Sequence, residues 1–173
     1  MALSIAIVGA TGAVGEALIS ILEEREFPLE TLYPLASSRS VGKRLEFREE
    51  SLKVGDLSTF DFSQVQIAFF SAGGAVSAEY APRAAEAGCI VIDNTAHFRY
   101  DDDIPLVVPE VNPEAISGYL NRNIIANPNC STIQMVVALK PIHDAVGVER
   151  VNVATYQAVS GTGRSALEEL GLQ

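Results

Sequence analysis

One cysteine, Cys130, lies where thiol chemistry can take place. It belongs to the run NPNCST at residues 127–132, where a strand-like segment gives way to a helix-like one. The thiolate is the nucleophile in thiol catalysis, and the unpaired N–H groups of a helix N-terminus stabilise it. Ser131 and Gln134 have the spacing of a capping box, so we expect the helix to start within a residue of the sulfur. The alternative is a buried structural cysteine, which is the commoner role of a free thiol.

A glycine-rich turn near the N-terminus has the spacing of a nucleotide-binding loop. Residues 9–15 read GATGAVG, directly after an apolar run and before a segment with helical spacing. Glycines there let the chain turn tightly and let phosphate oxygens approach the backbone N–H groups of a helix N-terminus. The GxxGxxG spacing is a variant, and its place after the first strand favours a nucleotide site over a structural turn. The cofactor-binding residues predicted here are Gly9, Thr11, Gly12, Ala13 and Val14.

The end of the second predicted strand favours NADP over NAD. An NAD-preferring site usually has Asp or Glu there to bind the ribose 2′-hydroxyl. Residues 36–40 read ASSRS, which offers hydroxyls and a guanidinium for a 2′-phosphate, so we predict NADP with Arg39 and Ser40 as ligands. The alternative for Arg39 is a solvated loop cation. Ser71 and Gly73, in the run SAGG, either lie along the dinucleotide or form a simple turn.

The elements that must position these residues alternate between strands and helices. Apolar residues recur at helical spacing after the glycine turn, which predicts a helix there. Short apolar runs predict strands at residues 3–8, 32–36, 65–70, 90–92 and 123–126. Further helices are predicted at residues 76–87 and 131–139. Short, continuously apolar strands flanked by helices are typical of a parallel sheet that is covered on both faces. The sequence therefore predicts an α/β fold with a doubly wound, Rossmann-type NADP-binding domain over residues 1–129.

The remaining residues, 130–173, predict the beginning of an α+β catalytic and dimerisation domain. We expect Pro141 to interrupt the helix after Cys130. Residues 148–159 are rich in β-branched and aromatic side chains, which predicts a long strand of a second sheet. Residues 165–170 begin an amphipathic helix that has little to stabilise it alone, so we expect the domain to be truncated.

Composition excludes several classes of function. The 173 residues are 48 % hydrophobic and 20 % charged, and 12 Lys and Arg against 22 Asp and Glu give a net charge of −10. No basic run occurs, so a nucleic-acid partner is not expected. The chain shows neither an apolar stretch of about 18 residues nor a basic leader, so we expect no membrane and a cytoplasmic protein. Cys89 and Cys130 are expected to stay reduced, and no metal site is predicted.

Six motifs, in order, resemble the aspartate-β-semialdehyde dehydrogenase family: GATGAVG, SSRS, SAGG, DNTAHFRYDDDIPLVVPEVN, NPNCST and TYQAVSGTG. The resemblance covers the whole chain. It implies NADP-dependent interconversion of aspartate semialdehyde plus phosphate and β-aspartyl phosphate through a cysteine thioester, in lysine, threonine and methionine biosynthesis. It also implies small-molecule substrates and a homo-oligomer of the full-length enzyme.

The resemblance assigns roles to individual residues, with Cys130 as the catalytic nucleophile. Arg99 matches the arginine that binds the phosphate group, and Gln157 matches the glutamine that holds substrate beside the cysteine. Asn129 is assigned to substrate binding. Ser160 and Gly161 match positions close to the nicotinamide half of the cofactor. The alternative for Arg99 is a surface ion-pair residue. By residue type alone, Gln157 is a strand residue, and an Asn at a helix start is more often only a cap.

The general base has no counterpart in the sequence. His97 stands where the family commonly has a small residue, and His143 follows Pro141 in what looks like a helix end. The resemblance implies that the catalytic histidine, with further substrate-binding residues, lies beyond Gln173. We therefore predict a piece of a longer enzyme that turns over poorly or not at all alone.

Two other functions are weighed against this one. N-acetyl-γ-glutamyl-phosphate reductase is a related thiol enzyme, but its cysteine motif resembles NPGCYPT rather than NPNCST. A non-catalytic NADP-binding paralogue would share the fold, which by itself does not fix function. The presence of Cys130, Arg99 and Gln157 together argues against that second alternative.

Overall fold

The computed structural model describes the backbone of residues 3–173 and every side chain among them except those of residues 164 and 165. The strands are β1 (Leu3–Val8), β2 (Leu29–Ala36), β3 (Arg44–Phe47), β4 (Glu50–Lys53), β5 (Gly55–Asp56), β6 (Ile67–Phe70), β7 (Ile90–Asp93) and β8 (Ile124–Ala126). The α-helices are α1 (Ala13–Glu24), α2 (Gly74–Glu86), α3 (Cys130–Val146) and α4 (Arg164–Leu172). Between residues 3 and 173, no helix is both long and apolar enough to cross a membrane.

Six of the strands form one parallel sheet in the order β5-β2-β1-β6-β7-β8. The remaining two, β3 and β4, form a small antiparallel hairpin. The strand order reverses between β1 and β6, and in such sheets the dinucleotide binds at this switch point, beyond the carboxyl ends of the strands. The predicted doubly wound, Rossmann-type fold is confirmed.

The central strand β1 shows how the sheet is buried on both faces. Ile5 and Ile7 face one core, whereas Ala6 and Val8 face the other, because successive side chains of a strand point to opposite faces. The first core is completed by α1 and the hairpin, with Ile19, Leu22 and Phe47. The second is completed by α2, with Ala81, Ala84 and Ala85. This two-sided burial explains why the strands read as continuous apolar runs.

The predicted interruption of the cysteine helix at Pro141 is wrong. Helix α3 runs for 17 residues and contains Pro141 in its interior. Proline removes its own N–H from the ladder of backbone hydrogen bonds, and this loss does not end the helix here. The same holds for Pro82, which lies inside α2.

The predicted strand at residues 148–159 is also wrong, because this segment forms no strand and ends in a short 3₁₀ turn, Val159–Thr162. Residues 149–158 are all exposed, and the Tyr156 side chain is fully accessible to solvent. High β-propensity reflects the packing of side chains on a sheet. In the described part of the chain, no neighbouring strand pairs with this segment, so its composition alone does not produce a strand.

Candidate active site and cofactor cleft

The glycine turn after β1 is shaped by three close backbone approaches. Gly9 has a φ of +91°, and its N–H donates to the carbonyl of Leu35 at 2.9 Å. A Cβ on Gly9 would lie 3.0 Å from the Ser71 Oγ, and one on Gly15 would lie 2.3 Å from the Gly9 carbonyl oxygen. Gly12 donates to that same carbonyl at 3.0 Å. The first glycine of the motif therefore permits the close approach of the segment after β6, and the third permits the tight packing of α1 against the turn after β1.

Both helices at the switch point begin without a side-chain cap. Gly12 is the N-cap of α1 and Gly73 is the N-cap of α2, and at neither helix start does a capping side chain accept from the backbone N–H groups. A Cβ on Gly73 would meet no atom within 4 Å, so open space lies beside the start of α2. Uncapped helix N-termini leave N–H groups for an anionic ligand. This cradle fits the pyrophosphate of a dinucleotide.

The two predicted cofactor loops contact each other. The Thr11 hydroxyl donates to the Ser40 Oγ at 3.4 Å, which joins the glycine turn to the loop after β2. Arg39 lies in the 3₁₀ turn Ser38–Ser40 and is exposed at this edge. Residues 36–40 contain no carboxylate. The donors on this loop therefore fit a 2′-phosphate better than an unmodified ribose.

Ser71 serves mainly to join the two strands at the switch point. Its N–H and its hydroxyl both donate to the carbonyl of Val8, at 2.9 and 3.1 Å. A carbonyl at the end of β1 is thus satisfied by the residue that follows β6. The hydroxyl of Ser71 is engaged within the protein, whereas Gly73 faces open space.

Cys130 is the first residue of α3, as predicted, and its side chain is exposed. The predicted capping box of Ser131 and Gln134 is wrong, because the cap is Asn129. The Asn129 Oδ1 accepts from the Ser131 N–H at 3.0 Å and from the Ser131 hydroxyl at 2.6 Å. The helix starts two residues earlier than a Ser131 cap requires, so Ser131 lies inside its first turn. The cap reading of Asn129 is confirmed, and its Oδ1 is occupied by this role.

Gln157 reaches the sulfur from a segment 27 residues further along the chain. Its Nε2 donates to the Cys130 Sγ at 3.3 Å. A Cβ on Gly161 would lie 3.1 Å from this Nε2, so the glycine leaves room for the amide. Ser160 and Gly161 lie in the exposed 3₁₀ turn Val159–Thr162. The Gln157 amide therefore lies beside the exposed sulfur.

Arg99 is half-buried and bonds to main-chain carbonyls. Its Nε donates to the carbonyl of Asn127 at 3.0 Å, and one Nη donates to the carbonyl of Asn94 at 3.1 Å. Over residues 3–173 no carboxylate forms an ion pair with it, so the ion-pair reading is wrong. Asn127 lies three residues before Cys130. The guanidinium is thus attached to the loop that leads to Cys130.

Neither histidine bonds to Cys130 within the described residues. The His143 Nδ1 accepts from the Val148 N–H at 3.1 Å and so closes the far end of α3. Thirteen residues of helix separate it from Cys130, roughly 20 Å along the axis. The exposed His97 ring packs edge-on against Phe98 at 4.5 Å. In this same part of the chain, no cluster of three or more His, Cys, Asp and Glu side chains could hold a metal ion.

The second thiol, Cys89, has the opposite environment. It is fully buried in the core beside α2, and burial raises the pKa of its thiol to about 12. A neutral, inaccessible sulfur of this kind is structural. Cys89 is therefore the buried structural cysteine, whereas Cys130 is exposed.

Sequence reasoning missed two asparagines at this site. Asn94 follows β7 and Asn127 follows β8, and these strands are parallel neighbours in the sheet. The Asn127 Nδ2 donates to the Asn94 Oδ1 at 2.6 Å. The available signal was positional, since residues that follow adjacent parallel strands meet at the same edge of a sheet.

Known proteins match nearly the whole chain. Residues 4–119 match the family model described as semialdehyde dehydrogenase, NAD binding domain, and residues 139–173 match semialdehyde dehydrogenase, dimerisation domain. The chain is 67 % identical over 171 residues to an aspartate-semialdehyde dehydrogenase of Legionella pneumophila, covering 99 % of this chain and 49 % of that protein. It is 65 % identical over 170 residues to aspartate-semialdehyde dehydrogenase 2 of Vibrio cholerae, covering 98 % and 50 %. The chain thus spans about half the length of the curated relatives it matches.

Solved structures have the same fold. Aspartate semialdehyde dehydrogenase II of Vibrio cholerae, complexed with ASA, superposes with a TM-score of 0.98 at 63 % identity, over 100 % of this chain and 52 % of that one. An aspartate semialdehyde dehydrogenase with NADP from Candida albicans superposes with a TM-score of 0.74 at 29 % identity, over 86 % and 48 %.

Proposed function

Because the chain belongs to the semialdehyde dehydrogenase family, we propose that it acts as an aspartate-semialdehyde dehydrogenase. The reaction is the NADP-dependent interconversion of aspartate semialdehyde plus phosphate and β-aspartyl phosphate, in lysine, threonine and methionine biosynthesis. The observation that carries the proposal is the 3.3 Å contact between the Gln157 amide and the exposed Cys130 sulfur at the start of α3. The relatives named above and the ASA complex support the substrate.

The switch point between β1 and β6 would hold NADP. The uncapped start of α1 would bind the pyrophosphate, and the loop after β2 would bind the 2′-phosphate through Arg39 and Ser40. Bound NADPH supplies the hydride that reduces the acyl group. The NADP complex of the Candida albicans relative supports this cofactor. The residues proposed to line the site are Gly9, Thr11, Gly12, Ala13, Val14, Arg39, Ser40, Ser71, Gly73, Ser160 and Gly161.

The chain's own residues would carry out the acyl transfer. In the biosynthetic direction the Cys130 thiolate attacks the carbonyl carbon of β-aspartyl phosphate, a C–S bond forms, and the C–O bond to phosphate breaks. The departing phosphate takes the electron pair and is bound by Arg99, whose planar donors suit it. Gln157 holds the acyl group beside the sulfur, and the amide nitrogen of Asn129 contributes to substrate binding. Reduction of the thioester then releases the aldehyde and returns the thiolate.

The division of the chain at residues 129 and 130 is part of the proposal. The sheet ends with β8, and residues 139–173 match the dimerisation domain of the family. That match, with the exposed Ile142, Val146 and Leu172, supports a homo-oligomer of the whole protein. A cytoplasmic location and a general base beyond Gln173 stay predictions.

Acyl transfer is tested directly by mass spectrometry. The chain is mixed with β-aspartyl phosphate, quenched in acid and weighed intact, and the modified peptide is sequenced. We expect one acyl adduct on Cys130 and none in a Cys130→Ala variant, which retains Cys89 as an internal control. A non-catalytic NADP-binding paralogue would give no adduct on either protein. An adduct on Cys89, or none at all, contradicts the proposal.

The cofactor preference is tested by Arg39→Ala. Loss of the guanidinium should weaken NADP binding roughly tenfold or more while leaving NAD binding unchanged, since only NADP carries the 2′-phosphate. Arg25→Ala, at the opposite end of α1, is the matched control with the same change of charge. Equal losses of NADP and NAD affinity in Arg39→Ala would show that Arg39 does not bind the 2′-phosphate. Calorimetric titration of each variant with each cofactor measures the difference.

A further inference from the structure

Two asparagine side chains tie the β7 loop to the cysteine loop. The Asn127 Nδ2 donates to the Asn94 Oδ1 at 2.6 Å, and we call this pair the amide clasp. Asn94 begins the loop that leads to Arg99, whereas Asn127 begins the loop that leads to Cys130. This side-chain bond thus joins the two loops directly.

Arg99 bonds to both members of the amide clasp. Its Nε donates to the carbonyl of Asn127 at 3.0 Å, and one Nη donates to the carbonyl of Asn94 at 3.1 Å. A guanidinium has five N–H donors in a planar fork. These two hydrogen bonds hold the guanidinium, and its remaining N–H donors keep a fixed direction in which they can donate to a ligand. The direction of that fork depends on the separation of the two carbonyls, which the amide clasp sets.

Buried polar contacts anchor the clasp from behind. The carboxylate of Asp93, which is completely buried, accepts from the hydroxyls of Ser77 and Thr95, each at 2.7 Å. The Asp93 carbonyl accepts from the Asn127 N–H at 2.8 Å. The last residue of β7 is therefore held by α2 and by the loop after β8. Satisfied buried networks of this kind fix a single arrangement.

We propose that the amide clasp of Asn94 and Asn127 positions Arg99 for binding the phosphate group beside Cys130. The inference rests on the phosphate-binding role of Arg99 given under the proposed function. Asn94 and Asn127 act through Arg99, so they are positioning residues. Removing either side chain leaves both carbonyl acceptors in place but releases the restraint between them.

The first test uses inorganic phosphate to protect Cys130 from iodoacetamide. Asn94→Ala and Asn127→Ala should each raise the phosphate concentration for half-protection roughly three- to tenfold, as expected for the loss of one hydrogen bond. The double variant should be no worse than either single one, because both changes remove the same bond. Asn121→Ala is the matched control, since the Asn121 amide donates to the Asp103 carbonyl outside the site. The thermal midpoint of each variant shows whether it is folded.

The second test does not depend on phosphate. The Arg99 Nε–H signal in a ¹⁵N spectrum, assigned with Arg99→Lys, should exchange with water roughly fivefold faster in Asn94→Ala than in the parent chain. Asn94→Asp keeps the acceptor for Asn127 and should restore slow exchange. Asn127→Ala removes the same bond from the other side, so it replaces Asn94→Ala in this measurement if Asn94→Ala does not fold.

The outcomes distinguish a failure of the phosphate-binding role of Arg99 from a failure of the amide-clasp proposal. If phosphate fails to protect the parent chain, the phosphate role of Arg99 fails, while the exchange measurement still decides whether the clasp restrains Arg99. If phosphate protects the parent and Arg99→Ala abolishes protection, but both asparagine variants behave like the parent in both tests, the clasp proposal is overturned. Additive losses in the double variant also overturn it.

Discussion

The sheet and the segment after it differ in what they bury. Between residues 3 and 128, side chains fill two cores, one on each face of the sheet. From residue 129 onwards no described side chain is buried, although the segment contains Ile142, Val146 and Leu170. Apolar composition is therefore not sufficient for a core, because it needs a complementary surface. Cys130 lies at this boundary: the loop before it is bonded by Arg99 at the Asn127 carbonyl on the sheet side, and Gln157 is supplied by the exposed side.

The largest expected difference between the two regions is in thiol reactivity. At pH 8 only about one Cys89 side chain in 10⁴ is ionised, because its pKa is about 12, and the core excludes reagent. We expect iodoacetamide to label Cys130 about a thousandfold faster than Cys89. Peptide mass spectrometry over a time course gives both rates in one sample, and urea-unfolded chain is the control in which the rates converge. Similar rates in the folded chain would refute the assigned environments.

A methyl group in the glycine turn tests how tightly the sheet region is packed. In Gly15→Ala the new Cβ would lie 2.3 Å from the Gly9 carbonyl and 2.7 Å from the Ala10 Cα, both backbone atoms. We expect the free energy of unfolding to fall by about 3 kcal/mol, with loss of NADP binding, because backbone must move. Gly171→Ala, in the exposed α4, meets no atom within 4 Å and should be neutral or slightly stabilising. Urea titration compares them.

Asn129→Ala tests whether the start of α3, at the boundary between the two regions, unfolds separately from the sheet. Loss of the cap should destabilise the first turn of α3 by about 1 kcal/mol. Because α3 has no buried residue, we expect this local destabilisation to appear as faster hydrogen exchange of the first amides of α3. The global unfolding midpoint should change little. Thr132→Ala, in the same turn but outside the cap, is the control. A global destabilisation as large as the local one would mean that α3 unfolds together with the sheet.

The sheet region was largely predictable from sequence, for a physical reason. Strands buried on both faces read as apolar runs, and the glycine turn has few alternative conformations. The hairpin of β3 and β4 and the short β5 were missed, because their residues alternate weakly and three of the four residues of β4 are exposed or charged. Element bounds shifted by a few residues where hydrogen bonding extended the apolar run, as at β2.

The cysteine region was predicted less well, because local rules compete there. Asn129 and Ser131 were both candidate caps of the helix that carries Cys130, and the sequence alone did not show that Asn129 would be the cap. The strand at residues 148–159 was predicted from propensity, which has no effect without a partner strand. The Gln157 contact and the Asn94 to Asn127 bond span 27 and 33 residues of sequence, so only the fold reveals them.

The smallest expected effect is at the exposed apolar surface, where Ile142→Ala is compared with Ile124→Ala. Ile124 is 1 % exposed in the second core, and its truncation should cost about 3 kcal/mol through lost burial and a cavity. Ile142 is 51 % exposed on α3, and its truncation should change the free energy of unfolding by less than about 0.5 kcal/mol, since it leaves no cavity and alanine favours helix. Denaturant titration at several protein concentrations measures both. A cost at Ile142 that grows with concentration would show that this surface is buried between copies of the chain, and the contrast between the two regions would then hold only for the monomer.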